Sequence, residues 1–154
     1  MRHWVCDIGR GFFGYLAVVP VCYGLYWLTG KVWPRGEEDV NELLILLPQV
    51  STVWKSAIVA SAVILAPLFE EVFFRGLMQS LLRSLIRSPW AAIVVTSALF
   101  AGVHWPYVKD MPALFALAIA LGYNYERCGR LGPSILMHAL FNAFNIVVFL
   151  NALS

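Results

Sequence analysis

This chain of 154 residues is 60% hydrophobic and only 13% charged, whereas soluble domains carry about 25% charged residues. A soluble globule of about 150 residues leaves roughly a third of its chain surface exposed, which is too much for so apolar a sequence. The formal net charge of +2 is too small to indicate nucleic-acid binding. The composition therefore predicts a membrane protein whose partner is the lipid bilayer, and the length predicts one domain over residues 1–154.

The first apolar stretch, residues 11–30, contains no charged residue and is long enough to cross a bilayer. Arg2 and Arg10 precede it, as basic residues precede the apolar part of a signal peptide. No small-residue cleavage motif follows, so we expect an uncleaved first helix. Charged residues then crowd residues 31–42, which predicts a solvated loop, and the short apolar run 43–48 suggests an interfacial or re-entrant piece.

Four further apolar stretches follow in chain order. The second is long enough to span only if it continues from Ser56 through three ionisable residues to about Leu82. The others cover residues 88–108, where Trp105-Pro106 is the expected end, 111–125 and 131–154. We therefore predict an all-α fold, a polytopic membrane bundle of about five transmembrane helices, with the motif-bearing core at roughly residues 54–152.

The placement of lysine and arginine predicts an orientation in the membrane. With the N-terminus in the cytoplasm, the inner ends of the helices hold six basic residues and the outer ends hold four. This bias favours a multi-pass protein of the cell (inner) membrane with a cytoplasmic N-terminus and an external C-terminus.

Ionisable residues inside a span cost about 2.5–3.5 kcal/mol or more each, so they are candidates for function. The second span carries Glu70, Glu71 and Arg75, the third carries His104, and the fifth carries His138 and Asn142. They would lie on three separate helices and could satisfy one another if the helices pack together.

Helical spacing predicts which of these groups pair within one helix. Glu71 and Arg75 are four residues apart and share a face, as do His138 and Asn142. Glu70 is rotated by about 100° from Glu71 and must find its partner on another helix. Pro67 frees a backbone carbonyl just before Glu70 and is expected to kink the helix there. Glu71–Arg75 alone could be a structural ion pair, and Asn142 and Asn145 could simply join helices.

The motifs Glu70-Glu71-x-x-x-Arg75, Phe100-x-x-x-His104 and His138-x-x-x-Asn142, in this order and in apolar helices, resemble the CAAX prenyl protease and bacteriocin-processing (CPBP, Abi) family. These enzymes are intramembrane glutamic-type peptidases, also described as metallopeptidases. The resemblance covers roughly residues 67–145.

The resemblance implies a role for each residue in hydrolysing a peptide bond of a membrane-associated protein. Glu70 would activate the attacking water, His104 would help to hold it, and His138 with Asn142 would stabilise the oxyanion. Glu71 and Arg75 would be the supporting pair. No cofactor is required in this mechanism, although Glu70, His104 and His138 could instead hold a zinc ion with an open position.

Two other classes of function fit the same residues. Glutamate and histidine chains also form proton relays, so the chain could be a proton- or ion-coupled transport subunit, although its small size and lack of an internal repeat argue against this. It could also be a non-catalytic membrane partner protein with a decayed site, but the intact set of Glu, His, His and Asn argues against decay.

Overall fold

The computed structural model describes residues 2–33, 36, 45–105 and 107–152, the first three of them by backbone alone. The described residues form five helices, and the predicted all-α class is confirmed. The helices are α1 (Arg2–Val32), α2 (Thr52–Ile86), α3 (Pro89–Gly102), α4 (Met111–Cys128) and α5 (Gly132–Ala152). A single 3-10 turn, Leu47–Gln49, precedes α2.

Three of these helices are long and apolar enough to cross a membrane, namely Val5–Val32 of α1, all of α2 and all of α5. Large hydrophobic side chains such as Trp54, Phe69 and Leu85 are mostly exposed on the protein surface, as expected where lipid is the solvent. The chain is therefore a membrane protein with three candidate spans. Helix α3 is apolar but, at 14 residues, only about 21 Å long, so five spans remain a prediction.

Several predicted boundaries are wrong, each for a local reason. Lys31, expected in a loop, lies in the last turn of α1. Helix α3 ends at Gly102, before the end predicted at Trp105-Pro106, and successive turns follow, with the His104 amide bonded to the carbonyl of Ala101. Most of the predicted loop at 31–42 and the first residues of the run 43–48 lie outside the described residues.

Helices α4 and α5 form the middle of the bundle. On one side they pack against α1 through buried side chains that include Cys22, Leu117 and Met137. On the other side α2 packs against α3 and α5, and α3 packs against α4. Gly11 lets α1 approach α5 closely, because a Cβ there would lie 2.9 Å from the carbonyl oxygen of Pro133.

A polar ladder joins α2 to α4. Its three hydrogen bonds each connect residues 43 positions apart, so the two helices run parallel. They are Arg75 to the Ala118 carbonyl at 3.2 Å, Gln79 to the Gly122 carbonyl at 3.0 Å, and Arg83 to Glu126 at 3.1 Å. Gly122 gives Gln79 room, since a Cβ there would lie 2.8 Å from Gln79 Oε1. The ladder fixes the register of the helix that carries both glutamates.

Candidate active site

Glu71 lies at the buried centre of the polar cluster, with no part of it exposed. Its Oε1 accepts a hydrogen bond from Arg75 Nη1 at 2.7 Å, the pair that helical spacing predicts, and another from His138 Nδ1 at 2.9 Å. A carboxylate paired with arginine accepts hydrogen bonds, so Nδ1 of His138 carries the proton. Glu71 therefore fixes both the orientation of the His138 ring and its tautomer.

Glu70 faces the other nitrogen of the same ring. Its Oε2 lies 3.8 Å from His138 Nε2, and its side chain is 32% exposed. That oxygen is itself buried and has no hydrogen-bond partner among the residues that the structure describes. The polar neighbour of Glu70 is therefore His138 of α5, a residue on another helix, as the position of Glu70 on α2 predicts. A buried carboxylate oxygen without a partner is costly, which is typical of an atom that a ligand satisfies.

Phe100 is the aromatic centre of the site, and its role is not evident from the sequence. It is fully buried in α3, and its ring contacts side chains from three other parts of the bundle. The ring centroids of Phe74, His104 and His138 lie 5.2, 4.9 and 5.7 Å away, and the guanidinium of Arg75 lies 4.8 Å above the ring. The one sequence signal for this role is the four-residue spacing from Phe100 to His104.

His104 follows the end of α3 and reaches the cluster through Phe100. Its Nδ1 lies 2.8 Å from the carbonyl oxygen of Phe100. Because a carbonyl only accepts, Nδ1 must be the protonated nitrogen, and Nε2 of the neutral ring carries a lone pair. Within the described part of the chain, His104 has no direct polar contact with Glu70 or His138. Its ring is partly exposed.

Two asparagines of α5, Asn142 and Asn145, bind different helices. Nδ2 of Asn142 donates to the carbonyl oxygen of Ala62 in α2 at 2.9 Å. Asn145 accepts a hydrogen bond from the Tyr23 hydroxyl at 2.9 Å and so joins α5 to α1, which confirms the helix-joining alternative for this residue.

No three His, Cys, Asp or Glu side chains among the described residues are grouped so that they could hold a metal ion. The possible zinc ligands Glu70, His104 and His138 are not brought together as one such group. The contacts instead place one carboxylate, Glu70, beside an imidazole that a second carboxylate orients. This arrangement is suited to moving protons.

Comparison with known proteins identifies a family and curated relatives. Residues 52–144 match the family described as type II CAAX prenyl endopeptidase Rce1-like. The UPF0177 protein YaiH of Lactococcus lactis subsp. lactis (strain IL1403) is 32% identical over 96 residues, which is 61% of this chain and 39% of that protein. An uncharacterized 24.3 kDa protein of Escherichia coli is 35% identical over 78 residues, 49% of this chain and 36% of that protein.

The matched part spans less than two fifths of the length of these curated relatives. No solved structure matches the chain. The family match covers more than half of the sequence, and it includes the residues named in the three motifs: Glu70, Glu71, Arg75, Phe100, His104, His138 and Asn142. The chain therefore belongs to the Rce1-like family of type II CAAX prenyl endopeptidases.

Proposed function

We propose that this protein is an intramembrane endopeptidase that hydrolyses a peptide bond of a membrane-associated protein with water activated by Glu70. One observation carries the proposal. The buried Oε2 of Glu70 has no hydrogen-bond partner among the described residues and faces His138 Nε2 at 3.8 Å, while Glu71 holds the other side of that ring. A water molecule bound beside this oxygen could lose a proton to it and attack a carbonyl carbon.

In this mechanism the proton from the water passes to Glu70, whose neighbour His138 can share it. His138 as an imidazolium would be stabilised by Glu71, and it could then donate to the oxyanion of the tetrahedral intermediate together with Asn142. When the C–N bond breaks, this proton passes from Glu70 or His138 to the nitrogen of the leaving amine. His104, whose Nε2 has no hydrogen-bond partner among the described residues, would help to hold the water.

The direct test is a proteolysis assay with the purified protein in lipid nanodiscs. The substrates to try first are membrane-associated proteins encoded beside its gene, with mass spectrometry to locate any cut. We expect a defined cut with the wild-type protein. Intact substrates throughout the set, with a folded wild-type protein, would favour a non-catalytic partner role.

Metal dependence is tested in the same assay. The described residues contain no metal-binding group of three side chains, and the proposed steps use only protein groups. We therefore expect no stoichiometric zinc by elemental analysis and unchanged cleavage after treatment with a chelator. Activity that is lost on chelation and restored by zinc, with one zinc per chain, would replace this mechanism with Lewis-acid activation of the water.

We further propose five spans in the inner membrane, with the N-terminus in the cytoplasm and the C-terminus outside. Two contacts support a topology in which the N-terminus and the C-terminus lie on opposite sides of the membrane. Gly11 lies against Leu136, and Tyr23 bonds to Asn145, so α1 and α5 run in the same direction. A phosphatase fusion after Ser154 should be active, as that enzyme requires the external side. Activity of a cytoplasm-only reporter at the same position would contradict this topology.

A further inference from the structure

Helix α2 is wider than an α-helix just before the glutamates. Residues Ser61–Leu65 are π-helical, and the amide of Ala66 bonds to the carbonyl of Ser61, five residues earlier. Single π-turns inside α-helices occur frequently at functional sites. Here the turn is followed directly by Ala66–Glu71, the segment that contains Pro67 and both glutamates.

The next carbonyl, that of Ala62, has lost both of its usual helical donors. The amide four residues later belongs to Ala66 and is bonded to Ser61. The residue five positions later is Pro67, which has no N–H. A backbone carbonyl inside a membrane span must be satisfied by a protein group or by a bound water, because lipid offers no hydrogen-bond donor. The side chain of Asn142 satisfies it, with Nδ2 at 2.9 Å from the Ala62 oxygen.

We propose that Pro67 is a positioning residue for Asn142. By leaving the Ala62 carbonyl without a helical donor, Pro67 reserves that carbonyl for one N–H of the Asn142 amide. The amide group is planar and has two N–H bonds, so holding one of them fixes the direction of the other. The second N–H is then preorganised as an oxyanion donor. This inference rests on the proposed peptidase function, in which Asn142 has that role.

The hydrogen bond from Asn142 to the Ala62 carbonyl does more than satisfy an unpaired backbone group of α2. Local repair by water, a serine hydroxyl or a tightened turn would need no residue on another helix. The donor here comes from α5, 80 positions along the chain and one turn after His138. One hydrogen bond therefore ties α2, just after the start of its π-helical turn Ser61–Leu65, to the helix that presents the imidazole next to Glu70.

The variant Pro67→Ala tests this proposal. Alanine restores an N–H at position 67 that can donate within α2, and it is a better helix former, so the fold should be retained. We expect kcat to fall about tenfold with KM nearly unchanged, a partial form of the loss caused by removing an oxyanion donor. Pro20→Ala, which removes an exposed proline from inside α1, is the matched control and should leave kcat unchanged.

A double-mutant cycle separates positioning from a general structural effect. Asn142→Ala should cost much less in the Pro67→Ala protein than in the wild type, because the amide is already misplaced. Equal fold losses in the two backgrounds, or wild-type kcat for Pro67→Ala, would overturn the proposal. If the folded wild-type protein cleaved no substrate, the peptidase function itself would fail, so the two failures are distinguishable.

A second readout needs no substrate. The side-chain amide of Asn142 can be followed by NMR in nanodiscs after 15N-asparagine labelling and assigned with Asn142→Ala. We expect one of its two amide protons to be protected from exchange in the wild type and in Pro20→Ala, and to lose protection in Pro67→Ala. Retained protection in Pro67→Ala would show that the proline does not hold the amide, and would overturn the proposal.

Discussion

Glu70→Gln is expected to abolish cleavage while leaving the protein folded. The amide keeps the shape of the carboxylate but cannot accept a proton from water, and general-base catalysis typically contributes about 10²- to 10⁴-fold to the rate. The fold should tolerate the change because Oε2 of Glu70 has no hydrogen-bond partner to lose among the described residues. Initial cleavage rates and the thermal unfolding midpoint in nanodiscs measure the two effects.

The chain offers a matched control for this experiment. Glu126 is also a glutamate at a helix–helix contact, but it pairs with Arg83 at the end of α4, away from His138. Glu126→Gln should cleave at nearly the wild-type rate. His104→Ala and His138→Ala should be close to inactive if these rings serve the same water. Wild-type cleavage by a folded Glu70→Gln protein would exclude Glu70 as the general base.

Two kinds of feature of the site could be predicted from the sequence. The first depends on residue spacing within one helix, and the second on the free-energy cost of an ionisable side chain inside the membrane. The Glu71–Arg75 pair follows from a four-residue spacing and is present at 2.7 Å. The neighbour of Glu70 follows by elimination, because a carboxylate without a helical partner must face polar groups on another helix, and His138 lies there.

The remaining features depend on tertiary packing that no spacing encodes. The hydrogen bond from His138 to Glu71 forms only if α5 packs against α2 in one rotational orientation about its own axis. Spacing alone does not choose between the two glutamates, because the His138 ring lies close to both of them. The place of Phe100 between Arg75 and the two histidines depends on where α3 crosses α2. Helix α3 ends early because turns follow Gly102. These turns could not be predicted, because the sequence remains apolar beyond Gly102.

The ladder between α2 and α4 explains how such packing is held in a membrane. The hydrophobic effect does not drive helices together in lipid, so polar contacts and small residues decide the register. Arg75 contributes to both the ladder and the site, because its Nη2 bonds to the Ala118 carbonyl and its Nη1 bonds to Glu71. The contacts that place α2 against α4 are thus continuous with those that orient His138.

Arg75→Ala should therefore be the most damaging single change to folding as well as to cleavage. Arg75 is 1% exposed, and its removal would leave the Glu71 carboxylate buried without its cation. Breaking a buried pair in this way typically costs about 3–5 kcal/mol. We expect a low yield from membranes, a clearly lower thermal midpoint and no cleavage by the protein that remains.

Two comparisons show whether the loss comes from the stranded carboxylate. Arg83→Ala removes an arginine from the same helix whose pair with Glu126 is partly exposed, and such a pair is worth at most about 1 kcal/mol, so yield and cleavage should change little. Replacing both Glu71 and Arg75 by leucine should restore much of the stability, since apolar residues can substitute for a buried ion pair. It should not restore cleavage, because His138 would lose the carboxylate that orients it. Unchanged yield and cleavage in Arg75→Ala would show instead that the buried pair serves neither the fold nor the site.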